Sequence, residues 1–236
     1  MLWLYVSLGV VGLAVAGRIA WRHHMRKRAA AEELESLRTV IAEDLALLEA
    51  EYRRLPAAPG MDDYDVAGKA YESARNLLLD APASASAITR ELADGQYAVL
   101  RYTSSLAGRP PPERRLPCFF NPQHGPSRAD VLWTEPGRGT RKVPACTDDI
   151  ARISAGDEPL IRLVNLSGHR VPYWAAGSRF APYGLGYFSR AQSRQQFLLT
   201  NFGGQDSLVY GDQPLQRNDR TGRGGWLGPR SSKPPH

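Results

Sequence analysis

Apolar and polar positions along the chain change period several times. From Ala29 to Leu55 the apolar residues Leu34, Leu37, Ile41, Leu45, Leu48, Tyr52 and Leu55 step by three and four, which lines them on one stripe of a helix. A second helix is predicted over Asp62 to Asp80, where Tyr64, Ala67, Tyr71, Ala74, Leu77 and Leu78 share a face. Asp62 and Asp63 stand at its start, where acids complement the helix dipole. A third, Ser84 to Leu106, aligns Ile88, Leu92, Val99, Tyr102 and Leu106, with Gly95 on the same stripe as a close-packed point. Pro56 to Gly60 and Ala81 to Ser84 break the chain between them. Three amphipathic helices on short loops predict an antiparallel bundle over 29–107, with an alternative use of 29–55 as a homo-oligomeric coiled coil.

Ahead of the bundle, Met1 to Gly17 carries no charge, and with Ile19, Ala20 and Trp21 it reaches about the 20 residues needed to cross a bilayer. Residues 1–21 are therefore expected to form a transmembrane anchor. The rival reading is a cleaved signal peptide ending near Ala14-Val15-Ala16. Arg18, Arg22, Arg26, Lys27 and Arg28 follow the apolar run rather than precede it, which favours the anchor. They make 22–28 a basic juxtamembrane segment and predict a cell-membrane location with the C-terminal part in the cytoplasm.

After the bundle the chemistry of the sequence changes. Gly108 to Arg115 contains three consecutive prolines and reads as a stiff linker over 108–115. Val131-Leu-Trp133 and Arg141-Lys-Val143 flank Pro136-Gly-Arg-Gly139 and predict a β-hairpin. Thr147 to Ile153 can start a short helix capped by Thr147 or Asp148. Two further strands are expected at Leu160 to Leu166 and His169 to Trp174. After Gly177 the periodicity is lost, and the tail 191–236 is expected to be mostly disordered. The fold class is α+β: an anchor, a helical bundle and a small domain over 116–190.

That small domain holds both cysteines of the chain. Cys118 and His124 are separated by five residues, and Cys146 is followed one helical turn later by Asp149. Two ligands on a turn, a hairpin, then two at a helix start is the order of a treble-clef zinc finger. Thiolate, imidazole and carboxylate all bind zinc, so Cys118, His124, Cys146 and Asp149 are the candidate metal ligands. Asp149 stands where Cys-x-x-Cys is usual, so the expected state is a metal-free domain in which both thiols pack as small apolar groups, with zinc held by the four residues as the alternative. A Cys118 to Cys146 disulfide is the third reading, and it requires an oxidising compartment.

Cys-Phe-Phe-Asn-Pro-Gln-His-Gly-Pro, Val-Leu-Trp, Val-Pro-Ala-Cys and Val-Pro-Tyr-Trp resemble a group of uncharacterised actinobacterial membrane-anchored proteins. The resemblance covers about Leu116 to Trp174. It implies a four-ligand site after Val-Pro and brings no activity with it.

Charge and motifs narrow the function classes. The net charge of +6 comes largely from the five cations before Glu32, leaving the rest close to neutral, so no nucleic-acid face is expected. His23 and His24 sit in the basic run; His169 has no nucleophile motif beside it; Gly137-Arg-Gly139 with Arg141 and Lys142 is explained by a turn and solvation. Asn165-Leu-Ser167 matches a glycosylation sequon, which has no bearing on a cytoplasmic domain. The reading is a membrane-anchored, non-catalytic interaction or scaffold protein, with the lipid membrane and an unidentified protein as partners. A secreted disulfide-stabilised binding domain and an enzyme using 116–190 are the alternatives.

Overall fold

The structure, a computed structural model, describes residues 2–58, 60–80, 84–135, 139–166 and 168–190, with side chains described from residue 16 onward. It is α+β, with five helices and two small sheets among the described residues. In order these are α1 (Leu2–Arg54), α2 (Asp62–Asp80), α3 (Ala85–Leu106), β1 (Ala129–Glu135), β2 (Gly139–Ala145), α4 (Thr147–Ser154), β3 (Leu163–Leu166), β4 (His169–Pro172) and α5 (Ala181–Tyr187).

The separate anchor is overturned. Anchor, basic segment and first bundle helix are one unbroken α1 of 53 residues, and among the described residues no helix is long and apolar enough to cross a membrane. The physical reason is charge: of the 1–21 segment, described side chains begin at Ala16, and Arg18, Arg22, Arg26, Lys27 and Arg28 interrupt any apolar window from there on. The rest of that segment, residues 1–15, lies outside the described side chains, as the expected tail 191–236 lies outside the described residues.

Burial in α1 begins at Leu37 and follows the expected stripe through Ile41, Leu45 and Leu48, so the proposed coiled-coil seam is spent inside the chain's own core. Val40 and Asp44 join it. α2 contributes small residues, Ala67, Ala70 and Ala74, which let the helices approach closely. At Gly95 of α3 a methyl group would come within 2.8 Å of Leu48 and 3.2 Å of Ala70, so a larger residue here would require the Leu48 side chain to shift.

β1 and β2 form the expected hairpin, antiparallel with Val131 opposite Val143 and Trp133 opposite Arg141. The hairpin packs through an unusual centre. The Arg141 guanidinium lies 4.7 Å over the Phe119 ring, 5.1 Å over Trp133 and 5.6 Å over Trp174, and pairs with Glu135 at 2.6 Å. Glu135 also accepts the Trp174 indole N–H at 2.8 Å. A charge buried among ring faces is stabilised by their quadrupoles, and its carboxylate partner supplies the counter-charge that burial demands. β3 and β4 make a second antiparallel pair, shorter than the strands read from the sequence, ending in a 3-10 turn at Tyr173–Ala175.

α5 falls where the sequence pattern dissolves. Phe180, Tyr183, Tyr187 and Phe188 are buried, and the helix lies across α3. Its glycines permit this: a methyl on Gly186 would overlap the Thr89 hydroxyl and the Ser86 carbonyl of α3. The Thr89 hydroxyl reaches the Tyr183 carbonyl at 2.9 Å.

Helices and small domain therefore share one hydrophobic cluster, running from Leu37 and Ile88 to Cys118, Trp133 and Phe188. Polar bonds close the same seam. Asp44 of α1 is fully buried and accepts from Tyr183 Oη at 2.6 Å, Tyr187 Oη at 3.0 Å and Arg162 at 3.0 Å. The 108–115 segment is also tied down, with Tyr97 donating to the Pro112 carbonyl at 3.0 Å and Arg114 paired with Asp94.

Burial raises the Asp44 carboxyl to about 6, against the pull of Arg162 and the two tyrosines. The native state thus holds a proton between about pH 4 and 6 that the unfolded chain has released, so stability from this group is greatest below pH 4 and falls as pH rises through 6. About two pKa units correspond to ~3 kcal/mol. Urea unfolding across this range should show that downward slope, and Asp44→Asn should remove it; an identical slope in the variant would exclude Asp44 as its source. Separately, Gly186→Ala should cost about 1–3 kcal/mol by lifting α5 off α3, read as a lower denaturation midpoint.

Candidate metal centre

Two local devices bring the four candidate ligands together. The first is the turn from Leu116 to Ser127. Its ends pair through Ser127 N to Leu116 O at 2.8 Å and a Pro117 to Pro126 bridge, and Cys118 N donates to Gly125 O at 2.9 Å. Asn121 Oδ1 accepts from Gln123 N at 3.0 Å and caps a 3-10 turn over Pro122–His124. Gly125 then takes φ 80°, a left-handed conformation that glycine adopts without cost, and turns the chain back so that Cys118 and His124 face the same point.

The second device is the start of α4. Cys146, rather than Thr147 or Asp148, is the N-cap: its Sγ accepts from the Asp149 amide at 3.5 Å. The position one turn on, Asp149, points back over the cap. Its Oδ1 accepts from Leu160 N at 2.8 Å, which fixes the carboxylate plane and ties down the segment leaving α4.

The side chains converge on one spot. Asp149 Oδ2 lies 3.1 Å from Cys118 Sγ, 3.3 Å from Cys146 Sγ and 2.9 Å from His124 Nδ1, and Cys146 Sγ lies 3.7 Å from the same nitrogen. All four ligand atoms fall within 4.8 Å of one another. Zinc bonded to sulfur at ~2.3 Å and to nitrogen or oxygen at ~2.0–2.1 Å would set tetrahedral edges of about 3.3–3.8 Å. The cysteine–histidine edge has that length. The three edges at Asp149 are somewhat shorter, as hydrogen bonds to a carboxylate draw it in. The group can hold a metal ion.

Three donors crowd one carboxylate oxygen in a site where Cys118 and Asp149 have no solvent exposure. Burial pushes the Cys118 thiol far above the ordinary thiol range and also raises Cys146, the neighbouring Asp149 charge adding to both. Burial works against ionisation of Asp149 too, but hydrogen bonds from His124, the Leu160 amide and both thiols outweigh it and hold the carboxyl at about 2. Without a cation the site is therefore two neutral thiols around one carboxylate.

A cysteine, a histidine and an aspartate in contact also invite a hydrolase reading, and the geometry argues against it. In a catalytic triad the carboxylate takes one imidazole nitrogen and the nucleophile the other. Here Nδ1 faces both Asp149 and Cys146. The thiols are protonated and buried, the opposite of an activated nucleophile. Both cysteines are free, so the disulfide is not formed in this structure.

Among the described residues no other such cluster occurs. His23 and His24 are exposed on α1, and His169 is exposed at the start of β4. Gly137 lies outside the described residues, so the Gly137-Arg-Gly139 turn is not described as a whole. One large groove, about 670 Å³, runs between α3, the 113–117 strap, the metal turn and the end of α5. Most of its charges are paired within the chain, Asp94 with Arg114 and Arg190, Glu113 with Arg115, and Asp130 with Lys142, and Glu51 also lines it.

Sequence reasoning did not find the connection between this site and the helices. Gln123, beside His124, donates to Tyr187 Oη at 2.6 Å and accepts from Gln96 at 2.7 Å, while Tyr187 bonds Asp44. An acid at an otherwise apolar stripe position, Asp44 between Ile41 and Leu48, was the one sign of it. No family model, curated protein or solved structure matches the chain.

Burial and raised thiol pKa values set the expected reactivity. Iodoacetamide at neutral pH should label neither cysteine in the native protein and both after unfolding, as counted by intact mass. Rapid native labelling of Cys118 would contradict the buried geometry.

Proposed function

We propose that Cys118, His124, Cys146 and Asp149 bind a structural zinc ion, and that the chain acts as a zinc-stapled, non-catalytic interaction protein. The observation that carries this reading is the convergence of two sulfurs, one imidazole nitrogen and one carboxylate oxygen within 4.8 Å. Two soft thiolates with two harder donors in a four-coordinate set suit zinc better than calcium or magnesium, which take oxygen ligands. A catalytic zinc keeps one position for water or substrate. Here all four positions would be filled by protein, three of them from buried residues, which favours a structural role.

The ion would supply the positive charge that the site's protons now provide. Asp149 is already ionised, so zinc uptake displaces the two thiol protons and leaves the site's net charge unchanged. The gain would be mechanical: the ion joins the Leu116–Ser127 turn, already seated by the buried Phe119 and Phe120, to the start of α4 further along the chain. The groove beside that turn, with most of its charges paired within the chain, supports contacts with another protein better than chemistry on a small substrate.

The purified protein should contain one zinc per chain by elemental analysis. Removing it with chelator should lower the melting temperature by about 10 °C, the effect of losing several kcal/mol of linked binding energy. Cys146→Ala should abolish zinc retention, whereas Asp149→Cys, which restores a thiolate, should keep it. Metal-free protein with an unchanged melting temperature, and no uptake on zinc addition, would refute the proposal.

A further inference from the structure

The N-terminal part of α1 carries five cations, Arg18, Arg22, Arg26, Lys27 and Arg28, and no acid within residues 16–29. Residues 16–29 are exposed on every side, and the first buried residue of the helix is Leu37. At 1.5 Å per residue, Arg18 stands about 28 Å along the helix from that point, well clear of the body. Arg18, Arg22 and Arg26 recur every fourth residue on one stripe, while Lys27 and Arg28 fall on other sides at about 100° per residue. Among the described residues no acidic side chain pairs with Arg18, Arg22, Arg26 or Lys27. Like charges four apart on a helix repel, so this arrangement costs the isolated helix stability that an external anion would offset.

Large apolar side chains are interleaved with these cations. Ile19 is 63% exposed, Trp21 62% and Met25 45%. In a phosphate backbone or on an acidic protein face these groups would gain nothing. A lipid headgroup layer suits both kinds, since tryptophan prefers the interface and lysine and arginine reach anionic headgroups with their charged ends.

We propose that the basic collar of α1, residues 18–28, seats in the headgroup layer of an anionic bilayer. This is a surface contact made by described residues, not a membrane span. It is independent of the zinc reading, because the collar shares no residue with the Cys118, His124, Cys146 and Asp149 cluster.

The test uses the full chain and vesicles of phosphatidylcholine with and without phosphatidylglycerol. Each cation near an anionic surface contributes a factor of about five in affinity. Wild type should prefer anionic vesicles by about a hundredfold, and added salt should erode the preference. Arg22→Gln/Arg26→Gln/Lys27→Gln/Arg28→Gln should lose most of it while keeping the wild-type melting temperature, since these side chains touch nothing in the core. Tryptophan emission should shift to the blue on anionic vesicles, and Trp21→Phe should remove the shift. Equal binding to both vesicle types, undiminished preference in the quadruple variant, or tighter binding to a DNA duplex than to anionic vesicles would each overturn the proposal.

Discussion

A single carboxylate oxygen, Asp149 Oδ2, takes contacts from Cys118, Cys146 and His124, and that convergence ties the Leu116–Ser127 turn to the start of α4. The turn that carries Cys118 and His124 has no regular structure beyond one 3-10 turn, and α4 has only eight residues. The turn is seated by Phe119 and Phe120, both fully buried, whereas Asp149 is the buried residue of α4, so the polar contacts at Asp149 are what join the two elements. What they share is a polar point with all partners inside the protein. A buried carboxylate with three donors is stable only while every donor stays in place, so the site fixes the relative placement of turn, hairpin and helix. A divalent cation bound here would have to displace both thiol protons, replacing two protons by one ion without changing the charge.

The second buried carboxylate, Asp44, extends this constraint to the helices. Its tyrosine partners come from α5 and its arginine from the segment before β3, so one side chain of α1 holds two distant parts of the small domain. Gln123 completes the path, since it sits next to His124 and bonds Tyr187. Movement of the metal turn would therefore be felt at α1 through two hydrogen bonds. The raised pKa of Asp44 measures what burial costs, and the surrounding donors show what offsets it. Together with the continuous hydrophobic cluster, this makes the helices and the small domain one packed body joined across 108–115.

Local periodicity was legible in the sequence, and long-range pairing was not. α2 and α3 could be read because their apolar residues recur at helical spacing and prolines or glycines bound them. The β1–β2 hairpin could be read from alternating residues about a glycine turn. The clustering of Cys118, His124, Cys146 and Asp149 was legible because the spacing is local: Cys118 with His124 and Cys146 with Asp149 each sit within one turn of chain. α5 escaped detection because its glycines and proline lower helix propensity, and only packing on α3 makes it a helix. The aromatic housing of Arg141 draws on Phe119, Trp133 and Trp174, residues with no common period, so no pattern could announce it. The anchor was misjudged for the opposite reason. A count of apolar residues treats Met1–Trp21 as a unit, whereas the backbone runs on as one helix and the cations from Arg18 onward leave no apolar window in the described part.

The central claim is that two sulfurs and two lighter atoms bind one zinc ion. X-ray absorption at the zinc edge of the purified protein tests it most directly, because the scattering distances report ligand type and number without reference to activity. The structure predicts two sulfur neighbours at about 2.3 Å and two nitrogen or oxygen neighbours at about 2.0–2.1 Å. A shell of oxygen or nitrogen alone, or the absence of zinc from folded protein, would contradict it.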